Sequence, residues 1–293
     1  MKILSFGSLN IDYVYSVEHI VKRGETISSS ALNVYSGGKG LNQSVAMGKA
    51  GAHPYHAGMI GEDGMFLLDV LKKADVDISK TKVSKEIRTG NAIIQNDADG
   101  DNCILLFGGA NRAIDEKYIA EVLEGFSAGD ILVCQNEISN LRALVTMAHD
   151  RGMTIVLNPS PMDRDVSELD LDMIDYFVLN EIEAGQLTGL ETKDGNALME
   201  AMRKRFPHAR IVLTLGDKGS MYGDADGVIR QEVIPVKPVD TTAAGDTFLG
   251  YFTACISKGR TPAQALATAA KASAITITRA GAAPSIPWMK EIG

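Results

Sequence analysis

Short runs of apolar residues recur along the chain from about residue 130, and longer segments of helical period separate them. Four of these runs are typical of strands buried on both faces, and each ends in a polar residue or a glycine. They are ILVCQ at 131–135, TIVLN at 154–158, YFVLN at 176–180 and IVLTLG at 211–216. Residues 139–152 and 194–206 carry apolar positions three and four apart, as helices that cover a sheet do. The pattern predicts a parallel sheet with helices on both faces.

The polar residues that end these runs predict where a ligand binds. In open parallel sheets, ligands occupy the crevice at the carboxyl ends of the strands. Gln135, Asn158, Asn180 and Thr214 all fall at such ends. We therefore expect one site at this edge of the sheet.

Two regions, 11–35 and 86–107, do not follow the alternation. Their composition is β-like without intervening helices, and DADGD at 97–101 is typical of a hairpin turn. We expect them to pair into a small separate sheet, a lid inserted into one core domain that spans residues 1–293. The alternative, that these strands extend the edge of the main sheet, stays open.

The stretch DTTAAGDTF at 240–248 follows a strand-like run, VIPVKPV, at 233–239. Thr241 or Thr242 is placed to cap a helix whose apolar face is Phe248, Phe252 and Cys255. The small residues at 243–245 leave the N–H groups of the first turn open, which favours an anion-binding site.

Asp246 lies inside that predicted first turn. A carboxylate there is often no more than a charge–dipole contact worth about 0.3 to 1 kcal/mol. Such a contact does not explain why Ala243, Ala244 and Gly245 are all small. The residues indicate an anion site beside a carboxylate.

Three other segments give weaker signals when each is taken alone. SGGKGLNQ at 36–43 places glycines ahead of a helix, yet the chain has neither GxGxxG nor GxxxxGK[ST], so alone it indicates a glycine-rich turn with Asn42 as a solvated helix residue. NEIEAGQL at 180–187 and TLGDKGS at 214–220 follow predicted strands and are typical of a helix cap and a turn. Their shared position at strand ends favours one common site.

Charge and composition exclude several partners. Apolar residues make up 45% of the chain, and 29 Lys and Arg face 37 Asp and Glu, which gives a net charge of -8. We expect neither nucleic acid nor a membrane as a partner, because nothing in this balance attracts an anionic surface. An anionic ligand has to be bound by local geometry.

Cysteines and the N-terminus indicate the compartment. Cys103, Cys134 and Cys255 are far apart and odd in number, without metal-ligand spacing, so we expect buried thiols in a reducing cytosol. The first 17 residues are typical of a strand and not of a signal peptide. With no apolar stretch near the ~20 residues of a membrane span, the prediction is a soluble, cytoplasmic protein.

Taken in order, the motifs resemble those of the ribokinase-like (PfkB-type) carbohydrate kinases, and most closely those of its ribose-specific members. The resemblance covers nearly the whole chain and rests on GSLNID at 7–12, GGKGLNQ at 37–43, NPSP at 158–161, NEIE at 180–183, TLGDKG at 214–219, DTTAAGDTF at 240–248 and TRAGAAPSIPW at 278–288. It implies a three-layer α/β/α core with a mostly parallel central sheet, a small β-sheet lid, and a homodimer formed through that lid.

The resemblance also implies the chemistry of the site. Asp246 would be the general base that takes the proton from a sugar hydroxyl as it attacks the γ-phosphoryl group of ATP. Backbone N–H groups around Ala243, Ala244 and Gly245 would form the anion hole. This agrees with the reading of the segment itself, because phosphoryl transfer depends on positioning and charge stabilisation.

Two sets of binding residues follow from the same resemblance. The sugar would be held by Asn10, Asp12, Gly37, Gly38, Lys39, Gly40, Asn42, Glu137 and Asp246. The nucleotide would lie over Asn180, Thr214, Leu215, Gly216, Asp217, Lys218, Gly219, Gly245 and Ala270. Carboxylates and amides suit vicinal hydroxyls, and small residues near Ala270 would leave room for a base.

Two cations are implied as well. Magnesium would bridge the phosphates, with Glu183 positioning it through water. A monovalent cation, potassium, would bind at Asp240, Thr242, Thr276, Arg279, Gly281 and Ser285, mainly through backbone carbonyls, since a hard cation prefers oxygen ligands. Without the resemblance, Asp240 indicates only a turn-forming residue.

The resulting expectation is an ATP-dependent kinase that phosphorylates the terminal 5-hydroxyl of a pentose, with D-ribose as the first choice. Kinases of the same fold that act on deoxyribose, a ketohexose or a nucleoside stay open. An alternative of another class is a non-catalytic sugar or nucleotide sensor. The intact AAGD element at 243–246 counts against a sensor, which has no need of a base.

Overall fold

A computed structural model describes residues 1–293 except for the side chain of Arg164. The strands are β1 (Ile3–Phe6), β2 (Asn10–Ser16), β3 (Ala31–Gly37), β4 (Tyr55–Gly61), β5 (Asp77–Ser84), β6 (Gly90–Asn96), β7 (Asn102–Phe107), β8 (Ile131–Gln135), β9 (Thr154–Asn158), β10 (Tyr176–Asn180), β11 (Arg210–Thr214), β12 (Ser220–Asp224) and β13 (Gly227–Gln231). The helices are α1 (Lys39–Lys49), α2 (Met65–Lys73), α3 (Glu116–Leu123), α4 (Leu141–Asp150), α5 (Arg164–Ser167), α6 (Glu181–Thr188), α7 (Gly195–Arg205), α8 (Ala244–Ser257) and α9 (Pro262–Thr276).

The main sheet has nine strands in the spatial order β13-β12-β11-β10-β9-β8-β1-β4-β5. From β11 to β5 each neighbouring pair is parallel, and β12 and β13 add an antiparallel edge. Three of the predicted strands have the bounds read from the sequence, and the fourth ends at Thr214 because a short 3-10 turn begins at Gly216. The predicted α/β class with a mostly parallel sheet is confirmed.

Helices cover both faces of this sheet, and each face has its own hydrophobic cluster. In β1, Leu4 and Phe6 point into the cluster shared with α3, α4, α6 and α7, and Ile3 points into the cluster shared with α1, α2, α8 and α9. Successive strand residues face opposite sides, so continuous apolar runs fill both clusters. The three-layer arrangement follows from that pattern.

Helices α1 and α8 pack unusually close to one another. A Cβ placed on Gly250 would clash with the Cβ of Ala46 and would lie 2.9 Å from the backbone oxygen of Gln43. Only glycine allows this approach. The first turn of α8 is thereby held beside the first half of α1.

The two β-like regions form a separate four-stranded sheet, ordered β3-β2-β6-β7, which we call the small sheet. They pair with each other through β2 and β6, which run parallel from Asn10↔Gly90 to Ser16↔Asn96. No strand of the small sheet pairs with the main sheet among the described residues, so the edge-extension alternative is wrong. The hairpin turn at 97–101 is confirmed, and the Asp97 carboxylate accepts the N–H groups of Asp99 and Asp101.

Two local predictions are wrong. VIPVKPV at 233–239 forms no strand, because Pro235 and Pro238 have no N–H to donate to a ladder. Cys103 is exposed rather than buried, since β7 is an edge strand with every residue exposed, whereas Cys134 and Cys255 are buried as expected. Within the part of the chain that the structure describes, no helix is long and apolar enough to cross a membrane.

Candidate active site

A cavity of about 170 Å³ opens at the carboxyl ends of β9, β10 and β11, against the first turn of α8. The residues that line it are Lys39, Asn158, Ser160, Val178, Leu179, Asn180, Glu183, Thr214, Thr241, Ala243, Ala244, Gly245, Asp246 and Leu249. It lies at the expected edge of the sheet, at the carboxyl ends of parallel strands. Eight residues predicted for the site meet here: Lys39, Asn180, Glu183, Thr214 and 243–246.

Helix α8 begins without a side-chain cap. Ala243 precedes it in the left-handed region, at φ 59°, a conformation that a small residue adopts at modest cost. The prediction that Thr241 or Thr242 caps the helix is wrong, because neither side chain bonds a first-turn N–H. Both are exposed, and the Thr242 hydroxyl bonds the Asp240 carboxylate instead.

The first-turn N–H groups of α8 are accordingly open. Ala244 N–H donates to the Thr241 carbonyl at 3.2 Å. Among the described residues, the N–H groups of Gly245 and Asp246 have no protein acceptor. Unpaired N–H groups at a helix start attract anions, so the turn is built to face one.

The carboxylate of Asp246 is held by two amides from α1. Asn42 Nδ2 donates to its Oδ2 at 3.1 Å, and Gln43 Nε2 donates to its Oδ1 at 2.9 Å. Gln43 in turn accepts a bond from Gln135 Nε2 at 2.7 Å. The sequence carried no separate signal for Gln43, although it lies inside the GGKGLNQ motif, because the partner it contacts is some 200 residues away.

Two further carboxylates, those of Glu137 and Asp12, lie beyond Asp246. Glu137 accepts a short hydrogen bond from Ser8 Oγ and another from the backbone N–H of Lys39 at 3.0 Å. Asp12 rests on the backbone of Gly37, where any Cβ would clash with its carboxylate. Burial, and then the charge of Glu137, raise the pKa of Asp12 to about 7. Acceptors packed this densely suit the hydroxyl donors of a sugar.

Asn10 is positioned by a residue that the sequence did not reveal. The buried Asn111 donates from Nδ2 to Asn10 Oδ1 at 2.8 Å and accepts the N–H of Leu9 at 3.0 Å. The GANRAI stretch at 109–114 contains it, but its spacing predicts no contact with residue 10. Asn111 therefore holds the side-chain amide of Asn10 in one orientation.

The glycines of the GGKG stretch bring two backbone segments together. Gly38 has φ 94°, and a Cβ there would lie 2.9 Å from the carbonyl oxygen of Ser8. A Cβ on Gly40 would clash with the backbone of Gly7 and Ser8. Side chains at either position would push α1 away from β1.

Lys39 brings a positive charge to the cavity. Burial opposes its charged form, but the carboxylates of Asp246, Glu137 and Glu183 outweigh that cost and raise the pKa of Lys39. The side chain therefore carries an ammonium among three acids. An anion bound at the α8 turn would share it.

Asn180 and Glu183 form a capping box at the start of α6, as their spacing indicates. Glu183 accepts from the backbone N–H and the side-chain nitrogen of Asn180, both at 3.0 Å. Burial raises the pKa of Glu183. Both residues also line the cavity, so the cap and the site are one structure.

Other residues predicted to hold a nucleotide lie outside the cavity lining. Leu215 is buried after β11, and Gly216–Lys218 form a short 3-10 turn that ends at Gly219. Ala270 lies on α9, partly buried against the hydrophobic cluster on that face. The structure thus leaves these positions next to the sheet edge but not in the cavity itself.

The residues predicted to hold a monovalent cation lie on two segments joined by Asp240. Its Oδ1 accepts the N–H of Thr242, and its Oδ2 accepts the N–H of Gly281, each at 2.9 Å. Burial opposes the ionised form of Asp240, but a bond from the Thr242 hydroxyl, together with these two, outweighs it and lowers the pKa of Asp240.

The side chains of the other predicted cation ligands are already engaged. Thr276 and Ser285 are buried and donate to the Ala272 and Ala282 carbonyls, and the Arg279 guanidinium pairs with Glu291 at 2.8 Å. Backbone carbonyls, the remaining lone pairs of Asp240 and those of the hydroxyl oxygens are left as ligands. Such an all-oxygen set fits a hard cation.

A family model described as pfkB family carbohydrate kinase matches residues 1–289. The chain belongs to this family. Ribokinase of Schizosaccharomyces pombe is 35% identical over 100% of this chain and 96% of that protein, and ribokinase of Staphylococcus aureus is 32% identical over 99% and 98%. A solved structure of Arabidopsis thaliana ribokinase complexed with ribose and ATP superposes with a TM-score of 0.88 at 29% identity, covering 99% of this chain and 97% of that one.

For a pfkB family kinase, the cavity offers oxygen ligands of the kind magnesium prefers. Glu183 and Asp246 both line it, beside the open N–H groups of α8. Among the residues described, no cluster of three or more His, Cys, Asp or Glu is placed to hold a metal ion. Glu183, already bonded twice to Asn180, is suited to hold such an ion through water.

The raised pKa of Asp12 predicts how pH changes the stability of this kinase. Between the ordinary pKa of 3.8 and about 7, the folded protein retains a proton that the unfolded chain has released. Stability contributed by this group is therefore lost as the pH rises through that window. Asp12→Asn removes the cost, so we expect it to raise Tm at pH 8 more than at pH 4.5. Calorimetry at both pH values measures this, and equal shifts would contradict the assignment.

Proposed function

We propose that this chain transfers the γ-phosphoryl group of ATP to the terminal 5-hydroxyl of D-ribose, giving ribose 5-phosphate. The observation that carries the proposal is the first turn of α8, where open N–H groups at Gly245 and Asp246 face the cavity. The Asp246 carboxylate there connects the cavity to the acceptor-rich pocket around Glu137 through Asn42 and α1. The relatives reported above, which are ribokinases, support ribose as the sugar.

Asp246 acts as the general base in this proposal. Its carboxylate can only accept, so it draws the hydroxyl proton toward itself as the hydroxyl oxygen attacks phosphorus. Asn42 and Gln43 hold the carboxylate from behind. A base positioned in this way contributes roughly 10²- to 10⁴-fold to the rate.

The open turn of α8 forms the anion hole. Ala244 N–H is already bonded to Thr241, so the donors that serve a phosphoryl oxygen are those of Ala243, Gly245 and Asp246. Fixed donors aimed at developing charge need no reorganisation during the reaction. The Lys39 ammonium, held among three carboxylates, adds a positive charge to the cavity.

Ribose hydroxyls are held by the acceptor-rich pocket around Glu137. Asn10, Asp12 and Glu137 accept from hydroxyls, and the backbone at 37–40 lies against the ring. Asn42 Oδ1 is buried and has no partner among the described residues, so it is an acceptor that a hydroxyl can satisfy. A site with several buried acceptors rejects sugars that lack the matching hydroxyls, which ranks ribose above deoxyribose.

ATP lies over the edge of β10 and β11 in this proposal. Asn180, Thr214 and the turn from Leu215 to Gly219 face its phosphates and ribose, and Ala270 leaves space for the adenine. Magnesium would supply charge neutralisation for the phosphates when bound, and Glu183 would hold it through water. Dependence on ATP agrees with the cytoplasmic location expected from the sequence.

ATP consumption with a panel of acceptors tests the function. We expect ribose to give a higher kcat/KM than deoxyribose, fructose, tagatose or nucleosides. Asp246→Asn should abolish turnover and leave ribose binding measurable by calorimetry, because the amide keeps the shape but cannot take a proton.

Near-normal kcat in Asp246→Asn would overturn the base assignment. A preference for another sugar with Asp246 still essential would instead correct only the substrate. Ribose binding without any ATP consumption by the unmodified protein would favour the sensor.

We also propose that potassium activates the kinase from behind the anion hole. The cation would contact Asp240 and carbonyls of Thr242, Thr276, Arg279, Gly281 and Ser285. Lys49 of α1 donates to the Ala283 and Ile286 carbonyls at 3.1 and 2.7 Å, so the segment is held from its other side. A cation here would stabilise residues 240–242, and with them the left-handed turn at Ala243.

Potassium should raise kcat without entering the chemistry. We expect a higher kcat and a higher Tm in potassium chloride than in tetramethylammonium chloride of equal ionic strength, since the larger cation cannot enter an oxygen cage. Asp240→Asn should reduce both differences. Equal rates in the two salts would remove the case for the site.

We propose further that the small sheet is a lid over the sugar and the interface of a homodimer. Asn10 and Asp12 lie on strand β2 of the small sheet, so closure of the lid would bring both residues onto the sugar ring. Its apolar side chains are exposed, among them Leu105 at 66% and Leu106 at 63%. Exposed apolar surface of this kind is typical of an interface.

Light scattering and hydrogen exchange test these two roles together. We expect a dimer mass for the unmodified protein, a monomer mass for Leu105→Glu, and ribose-dependent protection of residues 11–35 and 86–107. A monomer at all concentrations would refute the interface. Unchanged exchange in saturating ribose would refute the lid.

A further inference from the structure

We propose that Gln43 and Gln135 are positioning residues for the base. Together they form a hydrogen-bonded chain from the end of β8, through α1, to the carboxylate of Asp246. Its task is to hold Asp246 in the one orientation that accepts the sugar proton. The inference rests on the proposed role of Asp246 as base and adds two residues that do not touch the phosphoryl group.

Both links of the chain are short and dry. Gln43 Nε2 lies 2.9 Å from Asp246 Oδ1, and Gln135 Nε2 lies 2.7 Å from Gln43 Oε1. Gln43 is 1% exposed and Gln135 0%. Water therefore does not compete for either bond, and each amide is confined to the partner it has.

The Asp246 carboxylate determines which side-chain atom donates in each hydrogen bond of this chain. An ionised carboxylate only accepts, so Gln43 has to present its nitrogen to Asp246 and its oxygen to Gln135. Gln135 then has to present its own nitrogen. An error in the orientation of Gln135 would turn Gln43 around and bring an oxygen against the base.

The hydrogen-bonded chain forms although it leaves one side-chain oxygen without a donor. Gln135 Oε1 is buried and has no hydrogen-bond partner among the described residues. A lost bond of this kind costs about 1 to 3 kcal/mol. The oxygen lies against Gly7, where a Cβ would clash with it. Apolar side chains at both 43 and 135 would fill the space without that cost, so packing alone does not account for the two amides.

Gln43 supplies what Asn42 cannot. Asn42 bonds Asp246 Oδ2, and its own Oδ1 is buried without a partner among the described residues. The proposed function assigns Asn42 to sugar binding, so its position would respond to the substrate. Gln43 holds the other oxygen, Oδ1, from a dry and substrate-free side. Two donors on two oxygens fix the plane of the carboxylate, whereas one donor leaves it free to turn.

Gln135→Met tests the far end of the chain while keeping the volume of the side chain. We expect kcat to fall roughly 10- to 100-fold, the loss expected for a misplacement of about 1 Å. KM for ribose and for ATP should not change, because Gln135 lies outside both proposed binding sets. Tm should change little, because the unsatisfied Gln135 oxygen is gone but Gln43 Oε1 loses its donor.

Thr253→Val is the matched control. Thr253 lies on α8, the helix that carries Asp246, and its Oγ1 is also buried without a partner among the described residues. The variant removes an unsatisfied oxygen from the same region without touching the chain. We expect it to preserve Tm or raise it, and to leave kcat unchanged.

Two further variants examine whether the links act in series. Gln43→Met should lower kcat at least as much as Gln135→Met, and the double variant should be no worse than Gln43→Met alone. Gln135→Glu should show a kcat, relative to the unmodified protein, that falls as the pH rises. Its protonated carboxyl can donate to Gln43 Oε1, and its ionised form cannot.

Wild-type kcat in Gln135→Met overturns the proposal, as does a loss confined to KM. Additive losses in the double variant, or a flat relative pH profile for Gln135→Glu, also overturn it. If Gln135→Met does not fold, Gln135→Glu decides the question, because its protonated carboxyl can still donate to Gln43 Oε1. Near-normal turnover in Asp246→Asn would instead refute the base itself, so the two failures are distinguishable.

Discussion

The close packing of α1 against α8 is the constraint on which the site depends. Gly250 lets the two helices approach until its backbone meets Ala46 and the carbonyl of Gln43. One turn earlier along each helix, that approach places Asp246 within hydrogen-bond distance of Asn42 and Gln43. A wider separation would leave the carboxylate without donors and the start of α8 away from the sugar pocket.

Around this contact, the two sides of the Asp246 carboxylate have opposite requirements, because one side has to bind an anion and the other a sugar. Toward the cavity, the chain presents N–H groups without acceptors, which attract an anion. Toward the sugar pocket it gathers acceptors, where burial and then the charge of Glu137 raise the pKa of Asp12. Lys39 is positioned between the two sides and offsets the negative charge of both. Glycines at 37, 38 and 40 make the crowding possible, because side chains there would displace the backbone.

Where predictions from the sequence were wrong, neighbours in space or the path of the backbone decided. Thr241 and Thr242 have the residue type of a cap, but the helix begins after a left-handed turn at Ala243, and neither side chain bonds its N–H groups. VIPVKPV has the apolar content of a strand, but its prolines cannot complete a ladder. Cys103 has a residue type that is usually buried, but it lies on an edge strand that no other element of the described chain covers.

The sequence by itself determined the α/β class, the bounds of three main strands, the family and the AAGD turn, because period, strand ends and motif order are local properties of the chain. The capping box of Asn180 and Glu183 was readable for the same reason. Only the tertiary structure decided that Gln43 and Gln135 reach Asp246 and that Asn111 orients Asn10. These contacts join residues from about 90 to 200 positions apart, and the packing of helices on the sheet, which no local pattern encodes, brings them together.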